Sequence, residues 1–394
     1  MSQLPVLSLK PREDKRLRIG HLWVYSNEVD TAKSPLKGIE PGSLCRVADS
    51  RGQVLGLATV NPNALICGRL LTQRTDTIIG ADWFARRIQR ALTLRERLYD
   101  KPFYRLVYGE SDGLPGLVID RYGEVCVAQL ATAGMERFKL DIVEGLKHTL
   151  APAGILFRND IPMREMEGLP AYVEAVGDVP QTVEIEEGGV RFSVPINSGQ
   201  KTGWFYDQRH NRDRLASYVK GQRVLDVFSY IGGWALRAAR FGAASVTAVD
   251  SSASALEAAQ RNAALNDMTL ESIKGQAVDA LKQLRNSGQK FDVVIVDPPG
   301  LIKRKKDMDA GAEHYAQLNR LAMQLLEGDG ILVSCSCSQH MSEEHLQRLL
   351  LREARNHGRP LQILERGGQG PDHPVHPAIP ETLYLKAFFC RVLD

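Results

Sequence analysis

The sequence predicts an α/β protein: a C-terminal Rossmann-like parallel sheet, preceded by a small β-barrel and a central α+β domain. After about residue 215, short apolar runs alternate with helical segments, which is typical of a parallel sheet covered by helices on both faces. Residues 1–76 are instead short β-like runs separated by turn residues such as Pro41-Gly42. Between them, apolar residues at helical spacing over 81–98 are followed by a predicted hairpin and then by a predicted amphipathic helix over 136–150. We therefore predict domains over residues 1–76, 77–182 and 183–394.

Composition bounds the class of protein before any motif is considered. A chain of 394 residues can form several domains, and a formal net charge of +3 is too small to indicate a polyanionic partner by itself. The six cysteines include no CxxC pair, which favours a reducing compartment. Residues 1–5 lack the apolar region of a signal peptide, and no window approaches the roughly 18 apolar residues of a membrane span. We expect a cytoplasmic protein with no membrane segment.

A glycine-containing turn follows the first apolar run of the C-terminal part. The run over 223–228 leads through Asp226-Val227-Phe228-Ser229-Tyr230-Ile231-Gly232-Gly233 into a predicted helix. Glycine at such a turn lets a nucleotide-like ligand approach backbone N–H groups at the helix start. The segment is not G-x-G-x-x-G, which counts against a dinucleotide. Asp226, Phe228, Ser229 and Gly232 are therefore candidate cofactor-binding residues.

Acidic residues follow the next two apolar runs as well. Asp250 ends the second run, where a carboxylate can accept hydrogen bonds from ribose hydroxyls. Asp279 lies near the end of the third run and its turn, within reach of an adenine edge. Together with Asp226 these acids suit S-adenosylmethionine, whose sulfonium favours a negative site. The alternative, that Asp226 or Asp279 only caps a helix, stays open.

The fourth apolar run ends in Asp297-Pro298-Pro299. The prolines stiffen the chain and fix the directions of the Asp side chain and of the backbone carbonyls. An aromatic residue in the next position would indicate methylation of an exocyclic amine, but that residue is Gly300. Asp297 and Pro298 are therefore predicted to face the reacting groups and to be cofactor-binding residues, with amine methylation kept as an alternative.

The fifth run ends in Ser334-Cys335-Ser336-Cys337-Ser338. Carbon-5 of a pyrimidine is too weak a nucleophile to take a methyl group until a thiolate has added to carbon-6, so a cysteine at this strand end suits that chemistry. With a period of two, Cys335 and Cys337 face the same side, so spacing does not choose between them. Core packing is the alternative for either thiol. With His340 they fit no usual zinc spacing, and we expect no metal.

Basic residues cluster in three places. The first cluster contains Arg16 and Arg18, the second contains the arginines of residues 86–97, and the third is Lys303-Arg304-Lys305-Lys306. Most such runs are solvated surface. The third follows the Asp-Pro-Pro segment directly, where phosphates that flank a target base would lie, and so it predicts an RNA contact.

With these residues in view, the chain resembles bacterial ribosomal RNA cytosine-C5 methyltransferases of the large-subunit methyltransferase I type. The similarity covers nearly the whole chain. It is carried by 18–29, by Gly109-Glu110-Ser111-Asp112-Gly113-Leu114-Pro115-Gly116, by Gly199-Gln200-Lys201-Thr202-Gly203-Trp204-Phe205-Tyr206-Asp207-Gln208-Arg209, and by the turn, Asp-Pro-Pro and Ser-Cys-Ser segments above. Gly300 and Leu301 stand where family members often carry Lys and Phe.

The resemblance implies an N-terminal PUA-like barrel and a C-terminal class I methyltransferase domain that uses S-adenosylmethionine. It implies that Gln200, Lys201 and Asp207 belong to the cofactor site, and it selects Cys337 as the nucleophile, with Asp297 beside it. The implied substrate is a cytosine in ribosomal RNA of the large subunit, 23S. An inactive RNA-binding assembly factor is the other alternative, and the oligomeric state, a homodimer included, is left open.

Overall fold

A computed structural model of the chain describes residues 4–394, and in it the chain packs into two compact units. The first unit contains residues up to 183 with 195–204 and 371–382, and the second contains 184–194, 205–370 and 383–394. The first three residues of the predicted barrel lie outside the described part. The predicted three-domain boundaries stay a prediction.

The first unit begins with a five-stranded sheet in the order β1-β3-β4-β5-β2. Its strands are β1 Val6–Ser8, β2 Trp23–Tyr25, β3 Ser43–Ala48, β4 Val54–Val60 and β5 Ile66–Thr72, and a short helix α1 covers Lys15–Arg18. Alternate residues of the strands point inward, so that Leu7, Val47 and Leu70 lie in one buried apolar cluster. This sheet forms the predicted small β domain.

A second five-stranded sheet, β10-β9-β8-β7-β6, follows in the same unit. Its strands are β6 Phe103–Tyr108, β7 Leu117–Tyr122, β8 Val125–Leu130, β9 Gly154–Arg158 and β10 Val173–Gly177, and its helices are α2 Ala81–Leu98, α3 Ala133–Arg137, α4 Lys139–Leu150 and α5 Met163–Met166. The predicted hairpin is β7 with β8, and the predicted helix over 81–98 is α2. The prediction of a single helix over 136–150 was wrong, because Phe138 leaves helical geometry (φ −91°, ψ 14°) between α3 and α4.

The Gly109–Gly116 segment has a structural role in this unit. Residues Gly109–Asp112 form a 3₁₀ turn, and both oxygens of Asp112 accept hydrogen bonds from the buried Arg95 guanidinium of α2 at 2.7 Å. Asp112 also accepts the backbone N–H of Tyr108 at 2.7 Å. The segment therefore ties α2 to the end of β6.

The second unit consists of a hairpin and a seven-stranded mixed sheet. The hairpin is β11 Thr182–Glu187 with β12 Val190–Pro195; the sheet strands are β13 Arg223–Val227, β14 Ser245–Asp250, β15 Glu271–Lys274, β16 Phe291–Val296, β17 Leu326–Ser336, β18 Leu361–Gly368 and β19 Lys386–Val392. The helices are α6 Arg209–Arg214, α7 Gly233–Arg240, α8 Ala253–Leu265, α9 Ala277–Asn286, α10 Met308–Leu325 and α11 Glu343–Asn356. Short 3₁₀ turns cover Ser26–Glu28, Tyr206–Gln208, Leu215–Ser217, Lys305–Asp307 and Pro380–Thr382.

The sheet order is β15-β14-β13-β16-β17-β19-β18. The first five of these strands pair in parallel, and β19 pairs antiparallel with β17 and β18. Consecutive residues of β16, such as Val293 and Val294, point to opposite faces and are both buried, because helices cover the sheet on both sides. The order reverses between β13 and β16, and in such sheets the ligand crevice lies at the carboxyl ends of the strands at this point. The predicted Rossmann-like class is confirmed.

None of the helices in residues 4–394 is both long and apolar enough to cross a membrane.

A buried ion cluster fastens the hairpin to the helices of the second unit. Glu187, at the end of β11, accepts two hydrogen bonds from Arg212 of α6, at 2.6 and 2.8 Å. Arg209 and Arg237 approach the same carboxylate at 3.5 and 3.6 Å. Burial alone would raise the pKa of Glu187, but the charge and hydrogen bonds of Arg212, and then the charges of Arg209 and Arg237, lower it to about 2. The hairpin is therefore held by a carboxylate that stays ionised.

We expect Glu187→Gln to destabilise the protein by about 3–5 kcal/mol, because three guanidinium groups would lose their shared anion. Urea unfolding measures the change. The pKa of Glu187 falls from an ordinary 4.5 to about 2 on folding, so the wild-type advantage should be complete above about pH 4.5 and shrink as the pH falls towards 2. Glu184→Gln, at an exposed position on the same strand, is the control and should change stability by about 0.5 kcal/mol or less. Equal effects of the two variants would contradict this account.

Candidate active site

Two loops that follow neighbouring strands form the centre of the candidate site. Strands β16 and β17 run parallel with Val296 opposite Ser334, so Asp297 and the Ser-Cys-Ser segment leave the sheet at the same edge. The Cys337 Sγ lies 3.9 Å from the carbonyl oxygen of Pro298. A Cβ atom built on Gly300 would lie 3.7 Å from the same sulfur. The structure thus brings the carboxylate segment and the thiol segment together.

The two candidate thiols occupy different environments. Strand β17 ends at Ser336, so Cys335 is its penultimate residue and Cys337 lies just beyond it. Cys335 is fully buried, and burial, followed by the negative charge of Asp297, raises its pKa well above the ordinary value. Cys337 is half-buried, and the other five cysteines are all buried. Because the nucleophile must ionise and meet a substrate, these environments favour Cys337.

Hydroxyl groups fix the loop that carries Cys337. The Ser338 hydroxyl accepts the backbone N–H of Ile302 at 3.1 Å and lies 2.9 Å from the Tyr315 hydroxyl. Ser336 donates to Tyr315 at 3.0 Å. Ile302 belongs to the loop that follows Asp-Pro-Pro, so Ser338 joins the two loops directly. The serines that flank Cys337 therefore hold the thiol at the carbonyl of Pro298.

Two side-chain donors orient the Asp297 carboxylate. Gln208 donates from Nε2 to Oδ1 at 2.8 Å, and Trp234 donates from Nε1 to Oδ2 at 2.9 Å. Gln208 precedes α6, and Trp234 is the second residue of α7. The two donors fix the plane of the carboxylate.

The predicted cofactor turn has an unusual backbone. Phe228 (φ 70°) and Tyr230 (φ 52°) are left-handed residues with large side chains, and Gly232 follows at φ 88°. The backbone N–H groups of Phe228 and Ser229 both donate to the carbonyl of Val249, at 2.9 and 3.0 Å. Left-handed geometry at non-glycine residues costs about 1–3 kcal/mol each and is concentrated at functional sites. The strain marks this turn as a candidate ligand-binding segment.

Asp226 acts within the protein as a cap for α7. Its Oδ2 accepts the Ser229 hydroxyl at 2.6 Å and the backbone N–H of Ala235 at 3.0 Å. Burial raises the pKa of Asp226 to about 7, against the Ser229 hydrogen bond, and the negative charge of Asp297 adds to the rise. The helix-capping alternative is thus present in the structure, and a cofactor contact of Asp226 stays a prediction.

Of the other two predicted acids, Asp250 and Asp279, the first ends a strand and the second lies in a helix. Asp250 ends β14, is half-buried, and accepts the backbone N–H groups of Tyr230 and Ser252, both at 2.9 Å. Its carboxylate therefore joins the cofactor turn to the start of α8. Asp279 does not end a strand: it is an exposed residue in the first turn of α9, five positions after β15. An acid in that position also stabilises the helix dipole.

The Gly199–Arg209 segment is divided between the two units. Gln200 and Lys201 are exposed residues of the first unit, and Lys201 is left-handed (φ 50°). Asp207 belongs to the second unit, where it is buried and accepts a short hydrogen bond from the Tyr384 hydroxyl. The structure therefore places Asp207, but not Gln200 or Lys201, in the same unit as Asp297.

The predicted RNA-binding residues differ in whether they form ion pairs within the protein. Lys303, Lys305 and Lys306 are exposed and form no ion pair within residues 4–394, whereas Arg304 pairs with Asp307 at 2.9 Å. In the N-terminal cluster, both predicted RNA-binding residues already form ion pairs with carboxylates of the protein. Arg16 forms a short ion pair with Glu28, and Arg18 pairs with Asp14 at 2.5 Å and with Asp49 at 2.8 Å. The lysines are therefore the stronger candidates for phosphate contacts.

A buried lysine that sequence reasoning missed lies behind the thiol loop. Lys386 begins β19 and donates from Nζ to the carbonyl oxygens of Ser338, at 2.6 Å, and Tyr384, at 2.8 Å. Burial lowers its pKa to about 8, and the charge of Cys337 opposes that fall. The opposite charge of Lys386 in turn favours the thiolate. The only sequence signal was a lysine at the head of an apolar run, Ala387–Cys390.

Two family models match the chain: a PUA-like domain over residues 7–73 and an S-adenosylmethionine-dependent methyltransferase over 170–391. A protein of Shewanella frigidimarina (strain NCIMB 400) named ribosomal RNA large subunit methyltransferase I is 38% identical over 98% of this chain and 99% of its own length. A protein of Klebsiella pneumoniae (strain 342) with the same name is 36% identical over 100% of this chain and 99% of its own. The chain belongs to the ribosomal RNA large subunit methyltransferase I family and is an S-adenosylmethionine-dependent methyltransferase.

Solved structures agree with this assignment at the level of the fold. A Streptococcus mutans protein classed as a SAM-dependent methyltransferase superposes with a TM-score of 0.82 at 19% identity, over 99% of this chain and 100% of its own. A methyltransferase in complex with SAH gives a TM-score of 0.84 at 20% identity, with the same coverage. At such identities the likeness shows the fold alone, which includes the predicted N-terminal and central domains.

We expect the stability difference between wild type and Asp226→Asn to depend on pH. The pKa of Asp226 rises from 3.8 to about 7 on folding, so between these values the folded protein keeps a proton that the unfolded chain has lost. The wild-type unfolding free energy should therefore fall, relative to the variant, as the pH rises from about 4 to about 7, and then level off. Urea unfolding across this range measures it. Asp309→Asn, at an exposed position, is the control, and a pH-independent difference for Asp226→Asn would refute the assignment.

We expect Lys386→Met to raise the pKa of the Cys337 thiol, because a buried positive charge that favours the thiolate is removed. The pH dependence of iodoacetamide alkylation, followed by mass spectrometry of the Cys337 peptide, measures the midpoint. The reaction reports this thiol because the other five cysteines are buried. Lys386→Arg keeps the charge and should keep most of the wild-type midpoint. An unchanged midpoint in a folded Lys386→Met protein would show that the lysine does not influence the thiol.

Proposed function

We propose that this member of the family methylates carbon-5 of a cytosine in ribosomal RNA of the large subunit, with Cys337 as the nucleophile. The observation that carries the proposal is the pairing of a half-buried thiol with the Asp-Pro-Pro loop, the Sγ of Cys337 lying 3.9 Å from the carbonyl oxygen of Pro298. The names of relatives that match almost the full length of the chain support the RNA substrate.

The acids of the crevice fit the cofactor. The pKa of Asp226 is raised first by burial and then by the charges of Asp297 and Asp250, so these carboxylates concentrate negative charge at the strand ends. One oxygen of Asp226, Oδ1, is buried without a hydrogen-bond partner among the described residues. The positive sulfonium of S-adenosylmethionine would be stabilised in this field. Asp250, Phe228 and Gly232 would hold the nucleoside part at the strained turn, and the cofactor supplies the methyl group.

The thiol provides the activation that carbon-5 lacks. The Cys337 thiolate adds to carbon-6 of the flipped cytosine. The electron pair of the carbon-5 to carbon-6 double bond moves to the carbon-4 to carbon-5 bond, and that of the carbon-4 to N3 bond moves to N3, which takes up a proton from water. Carbon-5 thereby becomes the nucleophilic end of an enamine. Carbon-5 then gains the methyl group, and loss of its proton re-forms the double bond and expels the thiolate. The Lys386 charge favours the thiolate, and the Ser338 hydrogen bonds keep the thiol beside the Asp-Pro-Pro loop.

Asp297 stabilises the base during this addition. Gln208 and Trp234 hold its carboxylate in one plane, where it can accept a hydrogen bond from the N4 amino group of the cytosine, and from N3 once that nitrogen has taken up its proton. Because these donors are in place before the substrate binds, little reorganisation is needed. Lys303, Lys305 and Lys306 follow within the same loop and would contact the neighbouring phosphates.

The decisive prediction separates the two thiols. We expect Cys337→Ala to abolish methylation of large-subunit ribosomal RNA while binding of S-adenosylmethionine and RNA persists, because no other group can form the carbon-6 bond. Cys335→Ala is the matched control: it removes a buried thiol two residues away and should keep most of the activity. With 5-fluorocytosine at the target position, wild type and Cys335→Ala should form an SDS-stable protein–RNA adduct, and Cys337→Ala should not.

Each alternative has its own outcome in this experiment. An adduct that survives Cys337→Ala but vanishes in Cys335→Ala would make Cys335 the nucleophile. Methylation that survives both substitutions would indicate methyl transfer to an exocyclic amine by the Asp297 segment. A wild-type protein that binds S-adenosylmethionine in calorimetry but forms no adduct would refute the cysteine mechanism, and one that binds no cofactor would indicate an RNA-binding factor.

A further inference from the structure

A groove in the first unit carries a concentration of arginine side chains that the active site does not use. It lies between the chain that follows β5 and the first three turns of α2, and has a volume of about 560 Å³. Its lining includes Arg74, Arg86, Arg87 and Arg90, which we call the arginine groove. A second concavity of about 400 Å³ continues from it along β5, with Thr72, Arg87 and Arg90 in common.

These four guanidinium groups lack counter-ions. None of them forms an ion pair within the described part of the chain, and one exposed carboxylate, Asp76, lines the groove with them. The more deeply buried arginines of the same unit are paired: for example, Arg95, also on α2, pairs with Asp112 at 2.7 Å, and Arg69 of β5 pairs with Glu167 at 2.8 Å. The charges in the groove are therefore uncompensated in a unit that compensates most of its buried ones.

Keeping these charges together costs stability. Arg90 lies four residues after Arg86 and three after Arg87, and like charges at these spacings on a helix repel by a few tenths of a kcal/mol per pair. Arg87 is partly buried against the ring of Trp83, 5.2 Å from its centroid, and its nearest hydrogen-bond acceptor is the carbonyl oxygen of Leu71, at 3.4 Å. Burial and the charge of Arg90 lower its pKa. An anion from outside the chain would relieve all of these costs.

The geometry of the groove fits a polyanion. Arg86 and Arg90 are separated by one helical turn, a rise of roughly 6 Å, and Arg74 lines the groove from the segment that follows β5. A planar guanidinium fork binds phosphate oxygens in pairs, and four such groups can contact more than one phosphate at once. Ile78, 75% exposed at the rim, adds an apolar surface beside them.

We propose that the arginine groove binds the phosphate backbone of the RNA substrate, and so supplies positioning rather than chemistry. This inference rests on the proposed function for the identity of the RNA. It assigns phosphate binding to the junction between the first sheet and α2, whereas the N-terminal Arg16 and Arg18 already have protein carboxylates as partners. Phosphate contacts of this kind fix register without reading sequence.

The test compares two variants that each remove three positive charges. The groove variant is Arg74→Gln, Arg86→Gln and Arg90→Gln, which spares Arg87 because it packs on Trp83. The control variant is Arg97→Gln, Arg261→Gln and Arg355→Gln, at exposed positions that form no ion pair among residues 4–394. Binding of protein-free large-subunit ribosomal RNA is measured by filter retention between roughly 50 and 300 mM KCl. Over this range the slope of log affinity against log salt concentration can be determined.

We expect the groove variant to bind this RNA about tenfold or more weakly and to lose about two units of the log–log salt slope, whereas the control variant should stay within about twofold of wild type. The RNA KM should rise while kcat at saturating RNA and the affinity for S-adenosylmethionine stay unchanged. Crosslinking of 4-thiouridine-labelled RNA should mark peptides within residues 72–90 of the wild type. Equal RNA binding by the groove and control variants would overturn the proposal and would leave an acidic protein as the occupant to consider.

Adduct formation and RNA binding test the cysteine mechanism and the arginine groove separately. If the 5-fluorocytosine adduct forms equally in the groove and control variants at limiting RNA, the groove proposal is wrong and the methylation mechanism stands. If wild type forms no adduct yet the groove variant loses RNA binding and crosslinks, the groove proposal stands without the cysteine mechanism. Displacement of the RNA by AMP at constant ionic strength would indicate a mononucleotide site and would also overturn the proposal.

Discussion

The parallel pairing of β16 with β17 is the constraint on which the site depends. Because Val296 lies opposite Ser334, the Asp-Pro-Pro loop and the Ser-Cys-Ser loop must leave the sheet side by side. A shift of one residue in this register would turn Cys337 away from the crevice. Both strands are buried by helices on two faces, so the apolar core that fixes the register also fixes the distance between the thiol and the carbonyl of Pro298. Core packing and chemistry are thus set by the same pairing.

Groups of opposite charge surround this edge of the sheet: carboxylates lie at the strand ends, and a lysine lies behind the thiol. Asp226, Asp250 and Asp297 lie at or near strand ends, and the charges of Asp297 and Asp250 add to the rise in the pKa of Asp226 that burial causes. This negative field suits a positively charged cofactor. Behind the thiol, Lys386 supplies a buried positive charge, held by two carbonyl oxygens rather than by a carboxylate. A carboxylate partner would neutralise that charge. Carbonyl partners orient the ammonium group and leave its field to act on the sulfur.

Sequence reasoning predicted what local pattern and strand order determine. The apolar runs located the strands, and strand order then placed Asp297 and Cys337 at one edge. The sequence did not predict contacts between site residues that are far apart along the chain. Gln208 and Trp234 reach Asp297 from 89 and 63 residues away, and no periodicity marks such contacts. The choice between Cys335 and Cys337 required burial, which spacing of two residues cannot give. The break at Phe138 likewise depends on the packing around it rather than on an obvious helix breaker.

Basic residues show most clearly why counting charges in a sequence is insufficient. Arg18 and Arg304 belong to clusters that look suited to RNA, yet each is paired with carboxylates of its own unit, at 2.8 and 2.9 Å. Arg86 and Arg90 belong to a helix whose apolar spacing attracts attention first, yet they form no ion pair in the described residues. A paired guanidinium must give up one anion to gain another, so its net contribution to binding is small. An unpaired one releases only water and mobile counterions. The charge that matters for a polyanion is the part left uncompensated by the fold, and only the folded arrangement shows which part that is.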